Sequence, residues 1–230
     1  MEHGFTWFGA VPGLRELPGH TVAAIFVSLL VVLLAVLARR GLARASDPQV
    51  PDGRLTPRDF FEIVTVFVTD LVEGMIPHHG KQYVPFLGTL FVFILFSNLL
   101  GLVPGFLPPT HSFNTTFGLA FVSFCAYNYY GIREHGVRYL KQFVGPVIFL
   151  APLMIVVELF SHAFRPISLA IRLFGNMFAD HLVLGIFTDL TKLFIPVIFY
   201  ALGTLVCVVQ AFVFTVLTTV YIALAVSHDH

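Results

Sequence analysis

Long apolar stretches alternate with short polar segments along this chain of 230 residues. The first apolar run, Val22 to Ala38, carries no charge and stops at Arg39 and Arg40. A helix needs about 20 largely apolar residues to cross a hydrocarbon core about 30 Å thick, so the run predicts a membrane helix over 22–38 with a basic cap. From Gly41 to Pro57 the sequence turns to Arg, Asp and Pro without core periodicity, as an aqueous linker does. Between Arg58 and Ile76 the pattern changes again. Phe60, Phe61, Val64, Phe67, Val68, Leu71, Val72 and Met75 recur at helical spacing, with Asp59, Glu62, Asp70 and Glu73 falling elsewhere. That is an amphipathic helix over 58–76, packed on the protein's own surface or lying in the membrane interface.

Val84 to Val103 and Phe117 to Ile132 are two more apolar runs, joined by the uncharged, Pro-rich segment Pro104 to Thr116. They predict a transmembrane hairpin over 84–132. Phe143 to Phe187 is almost uninterrupted helix-compatible sequence, and Leu193 to Val226 holds no charged residue. At about 1.5 Å per residue the last run reaches roughly 51 Å, beyond the thickness of a bilayer core. With no Pro after Pro196 and only Gly203 as a weak point, a long tilted helix fits it better than a broken one. The expected fold is an all-α integral membrane protein, one membrane domain over 1–230. It comprises five membrane helices and one amphipathic interfacial helix, the last two (143–187 and 193–226) long, antiparallel and strongly tilted.

Composition strengthens this picture. Hydrophobic residues make up 57% and charged residues 11%, whereas a soluble domain carries roughly 25% charged residues. Zero formal net charge gives no long-range attraction for nucleic acid. The few basic residues matter by position: Arg39, Arg40, Arg44, Arg54 and Arg58 fall in one linker region, Arg133, Arg138 and Lys141 in another. The positive-inside rule puts both in the cytoplasm, which leaves the N-terminus and Pro104 to Thr116 outside and brings the C-terminus into the cytoplasm. Met1 to Arg15 lacks the pattern of a signal peptide, so the first run is expected to be retained as an anchor. Cys125 and Cys207 sit in apolar runs and read as small buried hydrophobes. The tandem His78 and His79, and His228 with His230, lack further ligands at a supporting spacing, so neither pair predicts a metal. There is no Walker A loop, and no cofactor is expected.

The candidate chemistry lies in the fifth helix. Glu158, His162, Arg165, Ser168, Arg172, Asn176 and Asp180 are separated by four, three, three, four, four and four residues, which predicts a stripe along one face. In lipid each of these groups is costly, so such a stripe lines water or a partner. Arg172 lies deepest, among Leu169, Ile171, Leu173 and Phe174, and a guanidinium does not discharge at accessible pH. Asp180 is two turns away and Glu158 almost four, so its counter-charge is expected on another chain. Arg165, closer to the cytoplasmic end and followed by Pro166, reads as a snorkelling or structurally paired arginine. His181, beside Asp180, is either structural or a proton relay. Gln210 is the only strongly polar side chain in its stretch of the last helix, and Arg172 is its expected hydrogen-bond partner.

The string from Arg165 through Arg172-Leu-Phe-Gly-Asn-Met to His181 resembles the signature of the ATP synthase a subunit, bacterial type. Gln210-Ala-Phe-Val-Phe and Leu217-Thr-Thr-Val-Tyr221 resemble its final helix; Asn98 and Pro104 match as well. The resemblance covers the chain from about Arg58 onward. It implies an ion-translocating stator subunit with two offset proton half-channels in a bacterial inner membrane. Arg172 would face the ion-binding carboxylate of a rotating c-ring, and Glu158, Ser168, Asn176 and Gln210 fall on polar positions of the family. Asp180 and His181 would belong to the outer proton path, although many members carry an acid where this chain has His181 and some a histidine where it has Gly203. Expected partners are the c-ring, the b subunits of the peripheral stalk, membrane lipid and the translocated proton. A self-contained channel or transporter is the first rival, weakened by the lack of an internal repeat. An intramembrane hydrolase built on His162, Ser168 and Glu158 is the second. Its order along one helix puts Glu158 and Ser168 about 15 Å apart, too far for a compact triad.

Overall fold

A computed structural model of the chain describes residues 7, 18–44, 56–77, 80–136, 139, 151–190 and 194–227. Among the described residues there are six α-helices: α1 (Gly19–Arg44), α2 (Pro57–Met75), α3 (Val84–Leu100), α4 (Phe113–His135), α5 (Ala151–Leu190) and α6 (Phe194–Val226). Among the described residues, four segments are long and apolar enough to cross a membrane: Gly19–Ala43, Gly80–Leu100, Leu153–Thr188 and Pro196–Val226. The chain is therefore an all-helical, multi-pass membrane protein. The expectation of five spans differs at α4, which has the length but not the apolarity. Asn114, Thr115, Thr116, Ser123, Asn128, Arg133 and Glu134 lie along it.

The helix ends also shift. The first helix runs past Arg39 and Arg40 to Arg44 and carries Gly41 inside it, because the arginines, Leu42 and Ala43 are good helix formers and no proline interrupts the stretch. The hairpin 84–132 resolves into α3 and α4, with a 3-10 turn at Pro109–His111 between them. Of the helix expected over 143–187, the described part runs from Ala151 and continues to Leu190, residues 143–150 lying outside those described. Its 40 residues correspond to about 60 Å. Pro166 is carried inside it, at the loss of one backbone hydrogen bond. His78, His79, His228 and His230 also fall outside the described residues.

Local chemistry fixes α2 sharply. Thr56 caps it: its hydroxyl accepts from the Asp59 amide at 3.3 Å, and the Asp59 carboxylate accepts from the Thr56 amide at 3.1 Å. Pro57 takes the first helical position, where a missing N–H costs nothing. Val64, Val68 and Val72 are buried at a spacing of four and turn α2 onto α1 and α3. Ile63 and Val66 stay exposed beside Glu62 and Asp70. The helix thus packs on the protein and keeps an outward apolar edge, combining features of both expected placements.

α4, α5 and α6 pack mutually, and α3 lies against α6 with α1 and α2 beside it. Between α4 and α6, Ser123 and Thr218 share a hydrogen bond at 2.9 Å. Thr215, Thr218 and Thr219 return their hydroxyls to carbonyls one turn back on α6. Small hydroxyl residues let helices approach closely where no water is available to drive them together. The two cysteines part company: Cys207 is buried, whereas Cys125 is exposed on the outward side of α4. An apolar run on a membrane helix serves lipid as well as core, so its presence alone did not establish that Cys125 was inside.

Candidate functional site

The polar residues of α5 do not share one environment. The helix buries His162, Leu169, Ala170, Leu173 and Met177. Near its start, Glu158 Oε1 stands 3.4 Å from His162 Nδ1 and 3.9 Å from Arg165 Nη2. The Arg165 guanidinium lies over the rings of Tyr127 on α4 and Tyr221 on α6, 5.9 and 5.4 Å from their centroids. On the far side of the histidine, His162 Nε2 and Tyr139 Oη are 3.4 Å apart, and Tyr139 donates to Asn128 Oδ1 at 3.2 Å. Burial, the largest influence, pushes the Tyr139 phenol above its ordinary pKa, so it remains a neutral donor. This end of the stripe is an aromatic and ionic clamp joining α4, α5 and α6. Tyr127, Tyr139 and Tyr221 were not singled out from sequence. Aromatic residues in an apolar run carry no mark of which will meet a cation.

One turn further on, the surroundings open. Ser168, Arg172 and Asn176 are exposed. Ser168 Oγ bonds back to the Arg165 carbonyl at 3.1 Å. Among the described residues no carboxylate lies within 4.0 Å of the Arg172 guanidinium. Gln210 is buried on α6, and its expected bond to Arg172 is replaced by another: Asn176 Nδ2 donates to Gln210 Oε1 at 2.6 Å. Asn176 reaches across the α5–α6 contact, whereas Arg172, one turn earlier, projects outward. Gln210 Nε2 is buried without a hydrogen-bond partner, so one donor remains available inside this contact.

At the far end Asp180 and His181 face α6 and the connection between α3 and α4. A Cβ placed on Gly203 would come within 2.9 Å of Asp180 Oδ2 and 3.0 Å of Leu102, so the carboxylate sits in the space beside the glycine and would have to shift for a larger residue. A Cβ on Gly101 would likewise stand 2.8 Å from His181 Nε2. The His181 ring meets that of His111 edge to face, with centroids 5.7 Å apart. His111 sits in the 3-10 turn, held by Thr110 Oγ1 donating to Asn98 Oδ1 at 2.8 Å. The sequence reading passed over His111. The available signal was that it is the single titratable residue in an otherwise uncharged loop. Three groupings therefore lie along α5: an aromatic and ionic clamp, an open arginine, and an acid with two imidazoles. Among the described residues, no cluster of three or more His, Cys, Asp or Glu side chains is arranged to hold a metal ion.

Comparison with known proteins finds relatives over almost the whole chain. The family described as ATP synthase A chain matches residues 21–223. ATP synthase subunit a of Bdellovibrio bacteriovorus is 44% identical over 227 residues, covering 98% of this chain and 99% of the relative. ATP synthase subunit a 1 of Syntrophotalea carbinolica is 43% identical, covering 92% and 87% of the two chains. Subunit a of Solibacter usitatus is 44% identical, covering 91% and 87%. The chain belongs to the ATP synthase a-chain family, the proton-translocating and non-catalytic subunit of that complex's membrane sector.

Proposed function

We propose that Arg172 is the electrostatic gate of this chain, facing the ion-binding carboxylates of a rotating c-ring between two offset proton half-channels. The observation that carries this reading is its position: exposed in the middle of a 40-residue apolar helix, with no carboxylate in ion-pair range among the described residues. A fixed cation favours the ionised form of an approaching acid. A ring carboxylate arriving beside Arg172 gives up its proton to the path on one side and, once past, is reprotonated from the other. The attraction scales as about 332/(εr) kcal/mol, so exclusion of water by the facing helices strengthens it. The same charge repels protons that would leak directly between the half-channels.

In this reading Asp180 and His181 belong to the outer half-channel, while Glu158, Ser168, Asn176 and Gln210 tune the hydrated path. Residues 1–230 form one membrane domain with five membrane passages. α4 makes one of them through its contacts with α5 and α6, α2 lies at the interface, and α5 and α6 run antiparallel and tilted. The N-terminus faces outward and the C-terminus the cytoplasm of a bacterial inner membrane, consistent with Arg39, Arg40 and Arg133 at helix ends. The b subunits of the peripheral stalk hold the chain against rotation.

The test uses sealed vesicles containing the assembled complex. Arg172→Lys keeps a cation but exchanges a five-donor fork for an ammonium able to deprotonate when desolvated; it should abolish ATP-driven proton pumping. Arg172→Ala should abolish it too and open a passive proton leak. Robust coupled pumping by Arg172→Ala would overturn the gate.

A further inference from the structure

We propose that His111 is the proton-collecting residue at the mouth of the outer half-channel, taking protons from the external medium and passing them to His181. The proposal rests on the assignment of Asp180 and His181 to the outer path and adds a residue from a different element. His111 is half-buried. Part of it is accessible, and its ring meets that of His181 edge to face at a centroid distance of 5.7 Å and an interplanar angle of 88°. Phe178 lies against it at 5.5 Å and limits its rotation.

The turn bearing His111 is fixed from the interior. Thr110 bonds Asn98, which is 1% exposed, and Asn98 Nδ2 reaches the Cys207 carbonyl at 3.5 Å. Both α3 and α6 thus hold the turn that bears His111 in place. His181 Nε2 is shielded by protein atoms and has no hydrogen-bond partner. A buried ring nitrogen without a partner is costly, and a water admitted between the two rings when the half-channel opens would supply the missing bond and a route for a proton. Each imidazole accepts a proton and releases one again; when the two events use different nitrogens the ring is left as the other tautomer and is reset by proton exchange through water before the next transfer. Burial lowers the affinity of His111 for a proton below its ordinary value, which keeps it neutral and ready to accept near pH 7.

The titratable surroundings are few. α5 presents Asp180 and His181, α6 presents Cys207, and the first turn of α1 carries His20. α3 carries no charge, and Arg133, Glu134 and His135 of α4 lie at its opposite end. Within this group, His111 is the imidazole that sits in the connecting turn between the medium and His181.

The experiment measures ATP synthesis driven by an imposed proton gradient in sealed vesicles of the complete complex, normalised to assembled complex, while the pH of the outer-side compartment is varied. His111→Gln preserves hydrogen bonding but carries no proton. Synthesis should fall several-fold at neutral and alkaline outer pH, where protons are scarce, and approach the native rate at acidic outer pH. His111→Ala should behave alike and be partly restored by imidazole in that compartment, a response that loss of a merely structural contact would not give. Native rates at all outer pH values, or a uniform loss without imidazole rescue, would overturn the proposal. Arg172→Ala in the same vesicles separates the two levels. If that variant is inactive while His111→Gln is native, only the role of His111 falls; if it pumps normally, the gate falls with it.

Discussion

Two stretches of α5 carry nearly the same kinds of residue and end in different physical states. Glu158 to Arg165 turns its charge inward, onto Tyr127, Tyr221 and a carboxylate, and becomes part of what holds three helices together. Ser168 to Asn176 turns its charge outward, with an arginine that no described acid approaches. Arg165 and Arg172 are seven residues apart, close to two full turns, so the helix alone would give them similar directions. What separates them is the neighbour at each level. At Arg165, α4 and α6 supply aromatic faces; at Arg172 the α5–α6 contact is taken by Asn176 and Gln210. A membrane arginine is thus structural or functional according to whether the chain's own helices answer its charge.

The largest effect that tests this contrast is the exchange of roles between the two arginines. Arg172→Ala should eliminate coupled pumping with the complex still assembled, whereas Arg165→Ala should leave coupling in whatever complex forms but reduce its thermal stability. The lost cation–π contacts are worth about 0.5–2 kcal/mol. Normal melting of Arg165→Ala with complete loss of pumping would place it with Arg172 and erase the distinction.

A smaller effect is expected at the α5–α6 contact. Asn176→Ala leaves Gln210 with both ends of its amide unpaired, and interhelical hydrogen bonds in membranes contribute about 1–2 kcal/mol at most. The variant should assemble, melt slightly earlier and pump more slowly, and Asn176→Ala combined with Gln210→Leu should recover part of the stability by removing the orphaned group. Failure of the double variant to recover would mean the pair is not coupled as the 2.6 Å contact implies. The smallest effect belongs to Ser168→Ala, because its hydroxyl bonds only to the carbonyl three residues back. Proton flux should fall slightly and assembly not at all. Complete loss of flux with normal assembly would show that the hydrated path cannot reroute around that one group.

Much of the helix order was readable because a membrane removes alternatives: an apolar run of span length must satisfy its own backbone, and a helix does so. α2 was equally legible from its valine spacing, and Thr56-Pro57-Arg58-Asp59 marks its start. Arg172 stood out for a single-residue reason, a permanent charge deep in an apolar run. α4 was less clear, since its polar residues match the packing needs of α5 and α6, not a hydropathy threshold.

The sequence by itself determined that the chain is helical and multi-pass, where most of its helices lie, and that one arginine sits far from any acid of its own helix. Those properties follow from burial cost and helical period, both local to a segment. Only the tertiary structure decided that Arg165 is clasped by tyrosines, that Gln210 pairs with Asn176 and not with Arg172, and that His111 meets His181. These depend on which helices become neighbours and at what level along their axes. Contacts between residues as far apart as Asn98 and Cys207 are set by the packing of whole helices, for which no single segment holds the information.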